Sequence, residues 1–126
     1  MGSARILVVD DDRDLRDLVV FKLTQAGHLV SQCATGQDAI AIARAEVPDL
    51  VVLDVMMPGL SGIDVLRELR LDPSTRGIRV IMLTARAQEG DTETAFAVGA
   101  DDYVTKPFSP RELVRRVDAV LSRAVR

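Results

Sequence analysis

Four sets of reactive side chains recur at matching places in this chain. Asp10, Asp11 and Asp12 close one apolar run, and Asp54 closes another. Thr84 and Ala85 close a third, while Lys106 and Pro107 follow a shorter fourth. Carboxylates gathered at one point repel one another, so one of them holds its proton unless a cation joins them. A hard divalent ion relieves that repulsion, and Mg²⁺ needs only one or two carboxylates beside water and phosphate oxygens. Asp54 then has the chemistry of a carboxylate nucleophile that attacks phosphorus and forms an aspartyl phosphate. Such a transfer needs positioning and charge stabilisation, which the metal and the Lys106 ammonium can supply. The Thr84 hydroxyl is a donor to a phosphoryl oxygen, and the small Ala85 leaves the approach open to an in-line donor.

Each residue also has a plainer reading. An Asp run after a strand commonly caps a helix, and Asp12 is expected to do so. Asp54 before Pro58-Gly59 could open a turn, Thr84 is an ordinary strand residue, and Lys106 could be a loop cation. The joint placement of carboxylates, hydroxyl and ammonium at separate strand ends favours the chemical reading.

The elements that position these groups follow from periodicity. Ile6-Leu7-Val8-Val9, Leu50-Val51-Val52-Leu53 and Val80-Ile81-Met82-Leu83 are unbroken apolar runs. They read as parallel strands buried on both faces. Leu29 to Cys33 and Asp102 to Thr105 are weaker strands, expected near the edges. Between them lie helical patterns. Leu15, Leu18, Val19, Leu23 and Ala26 form an apolar stripe closed by Gly27. Thr35 caps a second helix with Ala39, Ile42 and Ala43 facing inward. Val65, Leu66 and Leu69 mark a third, and residues 90 to 98 a weak fourth. In the last helix Ser109 is the N-cap, Pro110 the first residue, and Glu112 closes a capping box ahead of Leu113, Val117, Val120 and Leu121. Five strand-helix units imply an α/β fold: a flavodoxin-like, doubly wound, five-stranded parallel sheet of order 2-1-3-4-5 with helices on both faces. Ligands of such sheets bind beyond the carboxyl ends of the strands, where the Asp, Thr and Lys groups lie.

The 126 residues suit one domain. The net charge of −3 makes direct binding of nucleic acid by this domain an unfavourable reading. No apolar run reaches membrane-spanning length, so no membrane partner is expected. The single Cys33 excludes an internal disulfide and reads as a buried, inert thiol in a reducing cytoplasm.

The segments ILVVDDD (6–12), PDLVVLDVMMPGLSG (48–62), VIMLTA (80–85) and GADDYVTKPFSPREL (99–113) resemble the receiver domain of two-component response regulators. The likeness is strongest to receivers that precede winged-helix DNA-binding domains. It implies a receiver over residues 5–123, with residues 1–4 a tag remnant or disordered start and no output domain in this chain. It also implies a phosphorylation-activated switch that receives its phosphoryl group from a sensor histidine kinase or a small acyl phosphate. On this resemblance Asp54 is the phosphoacceptor, Asp11 a direct Mg²⁺ ligand and Asp10 a water-mediated one. Met56 lends its backbone carbonyl to the metal. Thr84, Ala85 and Lys106 bind the phosphoryl group, and the Lys106–Pro107 bond is cis. Thr84 and Tyr103 form the switch pair, shifting a face built from the fourth helix, fifth strand and fifth helix. The fourth helix, carrying Gly90, Thr92 and Thr94, is expected to be the least stable. Met56 and Arg86 tune phosphoryl lifetime, with slow self-dephosphorylation expected. Asp101, Asp102, Glu112 and Arg116 fit a homodimer face formed on phosphorylation, although Thr92 stands where a basic residue is expected and Asp118 where a Lys is common.

Two other readings compete with the switch. A Mg²⁺-dependent aspartyl-phosphate phosphatase would place its nucleophile after the first strand, where Asp10 and Asp12 mimic the spacing, but Asp14 is out of pattern. A receiver-like module that binds partners without phosphorylation would not need the complete acidic set with Thr84 and Lys106. The expected role is therefore not that of an enzyme, beyond catalysis of the chain's own phosphorylation and slow dephosphorylation.

Overall fold

The computed structural model describes residues 3–85 and 97–123. Five strands, β1 (Arg5–Val9), β2 (Leu29–Cys33), β3 (Leu50–Asp54), β4 (Arg79–Thr84) and β5 (Asp102–Thr105), pair in parallel in the order β2-β1-β3-β4-β5. This is the order expected from the alternation of elements. Every residue of β3 is buried, because helices cover both faces and leave no side for polar alternation.

Helix α1 (Arg13–Gln25) and the C-terminal helix (Pro110–Leu121) pack on one face, where Val19, Leu23, Leu113, Val117 and Val120 meet Ile6, Val8, Val52, Ile81 and Leu83. Helices α2 (Gly36–Glu46) and α3 (Gly62–Leu71) cover the other, where Ala39, Ala43, Val65, Leu66 and Leu69 meet Leu7, Val9, Val51, Leu53 and Met82. The weak fourth helix expected over residues 90 to 98 lies mostly outside the described residues, as do Gly90, Thr92 and Thr94.

The helix ends follow local chemistry. The carboxylate of Asp12 accepts from the Asp14 and Leu15 amides, satisfying two of the donors that a helix start leaves open. Thr35 and Ser109 cap α2 and the C-terminal helix in the same way. The expected capping box at Ser109 is only half formed. Ser109 accepts from the Glu112 amide, but the Glu112 carboxylate reaches forward to Arg116 at 3.4 Å. The box appears instead at α3, between Ser61 and Asp64. Past α1, Gly27 adopts φ 100°, the left-handed region that a helix stop favours.

Two inward assignments on α1 need correction. Leu18 is 42% exposed and Ala26 is exposed, so the buried stripe is only Val19 and Leu23, with Leu15 half-buried. The helix rests on the sheet along a narrow ridge and leaves Leu18 and Phe21 in solvent. Cys33 is half-buried at the edge of the core rather than fully buried. Burial still pushes its thiol up to about 11, with Asp38 adding to the effect, so the inertness expected of it follows.

Candidate functional site

Register makes neighbours of the two buried carboxylates. Val9 on β1 pairs with Leu53 on β3, so the next residues, Asp10 and Asp54, leave the sheet side by side. Side chains alternate along a strand, and Asp54 shares the face of Val52, Asp10 that of Val8. Both carboxylates are almost fully buried, while Asp11, next in the chain, is exposed at the rim.

Every polar atom of Asp10 is engaged. Its amide donates to the Cys33 carbonyl at 3.3 Å, and its own carbonyl accepts from Arg16 at 2.8 Å. Its Oδ1 accepts from the Asp12 amide at 2.9 Å, and its Oδ2 accepts from Lys106 Nζ at 3.1 Å. Asp54 Oδ1 accepts from the Met56 amide at 3.2 Å and lies 3.5 Å from Lys106 Nζ. Lys106 thus reaches from beyond β5 to both carboxylates. Its backbone is held by an amide donated to the Thr84 carbonyl at 2.6 Å, and the Lys106–Pro107 bond that follows is cis.

One ammonium does not balance the site. Burial, then the negative charge of Asp10, pushes the Asp54 carboxyl up from 3.8 to about 7; Lys106 and the Met56 amide pull against this. One oxygen each from Asp10, Asp11 and Asp54 lies within 4.8 Å of the others. Hard oxygen donors so grouped, with excess negative charge, fit a divalent cation that prefers oxygen ligands. A cleft of about 350 Å³ lined by Asp12, Leu15, Ala85, Lys106, Pro107 and Phe108 opens beside this pocket.

The other expected site residues fall at varied distances from this centre. Thr84 is buried at the end of β4, and Ala85 beside it is exposed at the cleft. Thr84 pairs with Thr105, and Tyr103 pairs with Met82. Alternation therefore puts Thr84 and the half-buried Tyr103 on the same sheet face, one pair apart. The Met56 side chain is 68% exposed, so it stands at the mouth rather than over the pocket floor. Arg86 lies outside the described residues.

The four residues assigned to a dimer face divide into two groups. Arg116 bonds both carboxylate oxygens of Asp102 at 3.2 Å and also reaches Glu112, so these three form one half-exposed network within the chain. Asp101 is a correction. It is buried, and its Oδ2 accepts from the Val80 amide at 2.8 Å and from Arg70 at 3.3 Å. Those bonds hold the entry to β5 and leave the Asp101 carboxylate almost fully buried within this chain, unlike the exposed charge expected of it.

Some residues that matter were missed. Arg70 binds the carbonyls of Gly99, Arg76 and Ile78, and His28 is buried between the Ala4 amide and Asp118. Arg16 holds the carbonyl of Asp10. Only Arg16 left a trace in the sequence: a cation in the opening turns of a helix runs against the helix dipole and needs a local anionic or carbonyl partner.

A sheet of order 2-1-3-4-5, an acidic pair at its switch point and a lysine reaching both carboxylates define a phosphoacceptor-type α/β domain. The chain belongs to the response regulator receiver domain family, which matches residues 6–118. It is a receiver of the PhoB-like kind, a phosphorylation-activated signalling switch. It is 47% identical over 123 residues to the phosphate regulon transcriptional regulatory protein PhoB of Pseudomonas aeruginosa, covering 98% of this chain and 54% of that protein. It is 44% identical over 122 residues to the alkaline phosphatase synthesis transcriptional regulatory protein PhoP of Bacillus subtilis, covering 97% of this chain and 50% of that protein. The chain thus spans about half the length of these curated relatives. Among solved structures, the chemotaxis protein CheY4 of Vibrio cholerae superposes with a TM-score of 0.89 at 30% identity, covering 94% of this chain and 99% of that one. The Thermotoga maritima response regulator DrrB superposes with a TM-score of 0.84 at 39% identity, covering 98% of this chain and 54% of that one.

Proposed function

We propose that Asp54 accepts a phosphoryl group from the phosphohistidine of a sensor histidine kinase, or from a small acyl phosphate, with Mg²⁺ held by Asp10, Asp11, Asp54 and the Met56 carbonyl. The observation that carries this is a buried Asp54 carboxylate touching Lys106 beside two further carboxylates. Bound there, Mg²⁺ would offset carboxylate repulsion and the charge that develops on the phosphoryl oxygens. An Asp54 oxygen forms the new P–O bond as the P–N bond to the donor imidazole, or the P–O bond to the donor acyl group, breaks. The electron pair leaves with the donor. Lys106 stabilises the added charge, and the cleft at Ala85, Pro107 and Phe108 admits the donor.

The phosphoryl group brings about −1.5 to −2 of charge and strong acceptor oxygens. Thr84 turns its hydroxyl toward one of them, and the Tyr103 ring, on the same face, follows into the space released. Their shared face supports this relay. The relay biases the face carrying β5 and the C-terminal helix, which would control an output domain or partner, including a second copy. Because its relatives named above are transcriptional regulators, a DNA-binding output in a cytoplasmic regulator is the role we assign to the whole protein. No helix among the described residues is long and apolar enough to cross a membrane. Hydrolysis of the aspartyl phosphate, with Met56 at the mouth and Arg86 expected to tune it, would be slow.

Incubation with Mg²⁺ and acetyl phosphate, followed by intact-mass measurement, tests the reading. One base-labile phosphoryl adduct is expected, absent from Asp54→Asn and from samples treated with EDTA. Full-yield adduct in Asp54→Asn would sink it.

A further inference from the structure

We infer that Arg16 is a positioning residue for the metal pocket: its guanidinium fixes the Asp10–Asp11 peptide and so aims the exposed carboxylate of Asp11. The inference rests on the metal reading above and adds a residue to it. Asp11 lies at the rim, and among the described residues it makes no hydrogen bond of its own. The backbone therefore sets the direction in which its Cα–Cβ bond leaves the chain, and with it the rotamers that reach the pocket. The peptide that joins it to Asp10 carries the Asp10 carbonyl, and the partner of that oxygen is Arg16 Nη1 at 2.8 Å.

Arg16 can hold this peptide because it is itself held. It sits on α1, and its Nε donates to Gln32 Oε1 on the edge strand β2 at 3.0 Å. The same β2 end carries Cys33, whose carbonyl accepts the Asp10 amide. Two elements thus close on one turn through three contacts: β2 grips the Asp10 amide, α1 grips the Asp10 carbonyl, and β2 also grips the residue that grips it. A planar guanidinium makes two such bonds with one fixed fork, whereas a lysine ammonium is a flexible point charge. The Asp12 amide closes a turn onto Asp10 Oδ1 around the same peptide and Lys106 holds Asp10 Oδ2, while Arg16 is the group that holds the Asp10 carbonyl itself.

Groups that orient metal ligands without touching the metal usually cost about 10–100-fold in metal affinity when removed. A lone partner on one peptide places Arg16 at the lower end, about ten-fold. The effect should fall on metal binding and not on the chemistry once metal is bound.

Titration calorimetry with MgCl₂ on the wild-type chain, Arg16→Met, Arg16→Lys and Gln32→Leu reads this directly. Thermal unfolding in EDTA checks that each variant folds. Arg16→Met should raise the Mg²⁺ dissociation constant about ten-fold, and Gln32→Leu, which keeps the guanidinium but frees it, about two- to three-fold. Arg16→Lys should restore only part of the loss. Phosphorylation by acetyl phosphate should slow in Arg16→Met at limiting Mg²⁺ and recover at saturating Mg²⁺. Equal Mg²⁺ affinities in the wild type and Arg16→Met would overturn the inference. So would full rescue by Lys, which would make the effect one of charge alone. If Arg16→Met does not fold, Gln32→Leu decides, and unchanged affinity there counts against the proposal. Failure of the wild-type chain itself to bind Mg²⁺ would remove the metal site and this inference with it.

Discussion

Replacing Asp54 by Asn should stabilise the metal-free protein, and the gain should depend on pH. The carboxyl of Asp54 is raised from 3.8 to about 7 by burial and by Asp10. Below about pH 4 it is protonated in the folded and unfolded chains alike and affects neither. As pH rises from about 4 to 7, the unfolded chain releases this proton while the folded chain keeps it, so stability falls. Above about pH 7 the folded chain bears the full burden of a buried carboxylate beside Asp10. At about 1.4 kcal/mol per pH unit the ceiling is ~4 kcal/mol. The pocket opens to water at its rim, which screens the charges and reduces the figure to ~2 kcal/mol. Asn cannot ionise, and its Oδ1 still accepts from the Met56 amide, so the substitution removes the burden and keeps the bond. In EDTA at about pH 8, Asp54→Asn should unfold about 6–10 °C above the wild type, and the gap should close near pH 4. Thermal melts followed by circular dichroism at several pH values measure it. Adding Mg²⁺ should narrow the gap from the other side by stabilising the wild type more. A variant less stable than the wild type at about pH 8, or a gap that ignores pH, would refute the electrostatic account of the pocket.

Three further outcomes follow from single residues. Lys106→Met removes the cation that holds the Asp54 carboxyl down, so that carboxyl should titrate above its present value of about 7 when followed by carbon NMR of the side chain; an unchanged or lower midpoint contradicts the assignment. A Cβ on Gly62 would collide with the Asp54 carbonyl oxygen, so Gly62→Ala must push α3 away from β3. Urea unfolding should show a loss of about 3 kcal/mol or more, against the ~0.5–1 kcal/mol gain that Gly→Ala gives where backbone and space allow it. Val47 adopts φ 46° at the C-terminal end of α2 and is half exposed, a strained backbone for a β-branched residue. Val47→Gly should relieve that strain and raise stability by about 1 kcal/mol in the same assay, and a loss would show that Val47 packing outweighs the backbone term.

Much of this site was legible in the sequence because it is built from strand ends. Unbroken apolar runs marked β1, β3 and β4, and the residues after them could be read off as a rim before any contact was known. The caps at Asp12, Thr35 and Ser109 were equally local. What failed depended on partners far along the chain. Asp101 read as surface charge because Asp is usually exposed, yet Arg70 and the Val80 amide bury it. Arg16, His28 and Arg70 gained their roles from carbonyls and side chains on other elements, which periodicity does not register. Leu18 was placed inward by spacing alone, but α1 touches the sheet along too narrow a ridge to cover it. Glu112 matched a capping box and was diverted by a nearby arginine.

The central claim is that Asp54 itself carries the phosphoryl group. After reaction with Mg²⁺ and acetyl phosphate, borohydride reduction converts an aspartyl phosphate to homoserine, and tandem mass spectrometry of the digested chain locates it. The account predicts homoserine at position 54 and at no other aspartate. Homoserine at Asp10 or Asp11, or an unreduced Asp54 in a chain that has gained a phosphoryl group, would contradict it.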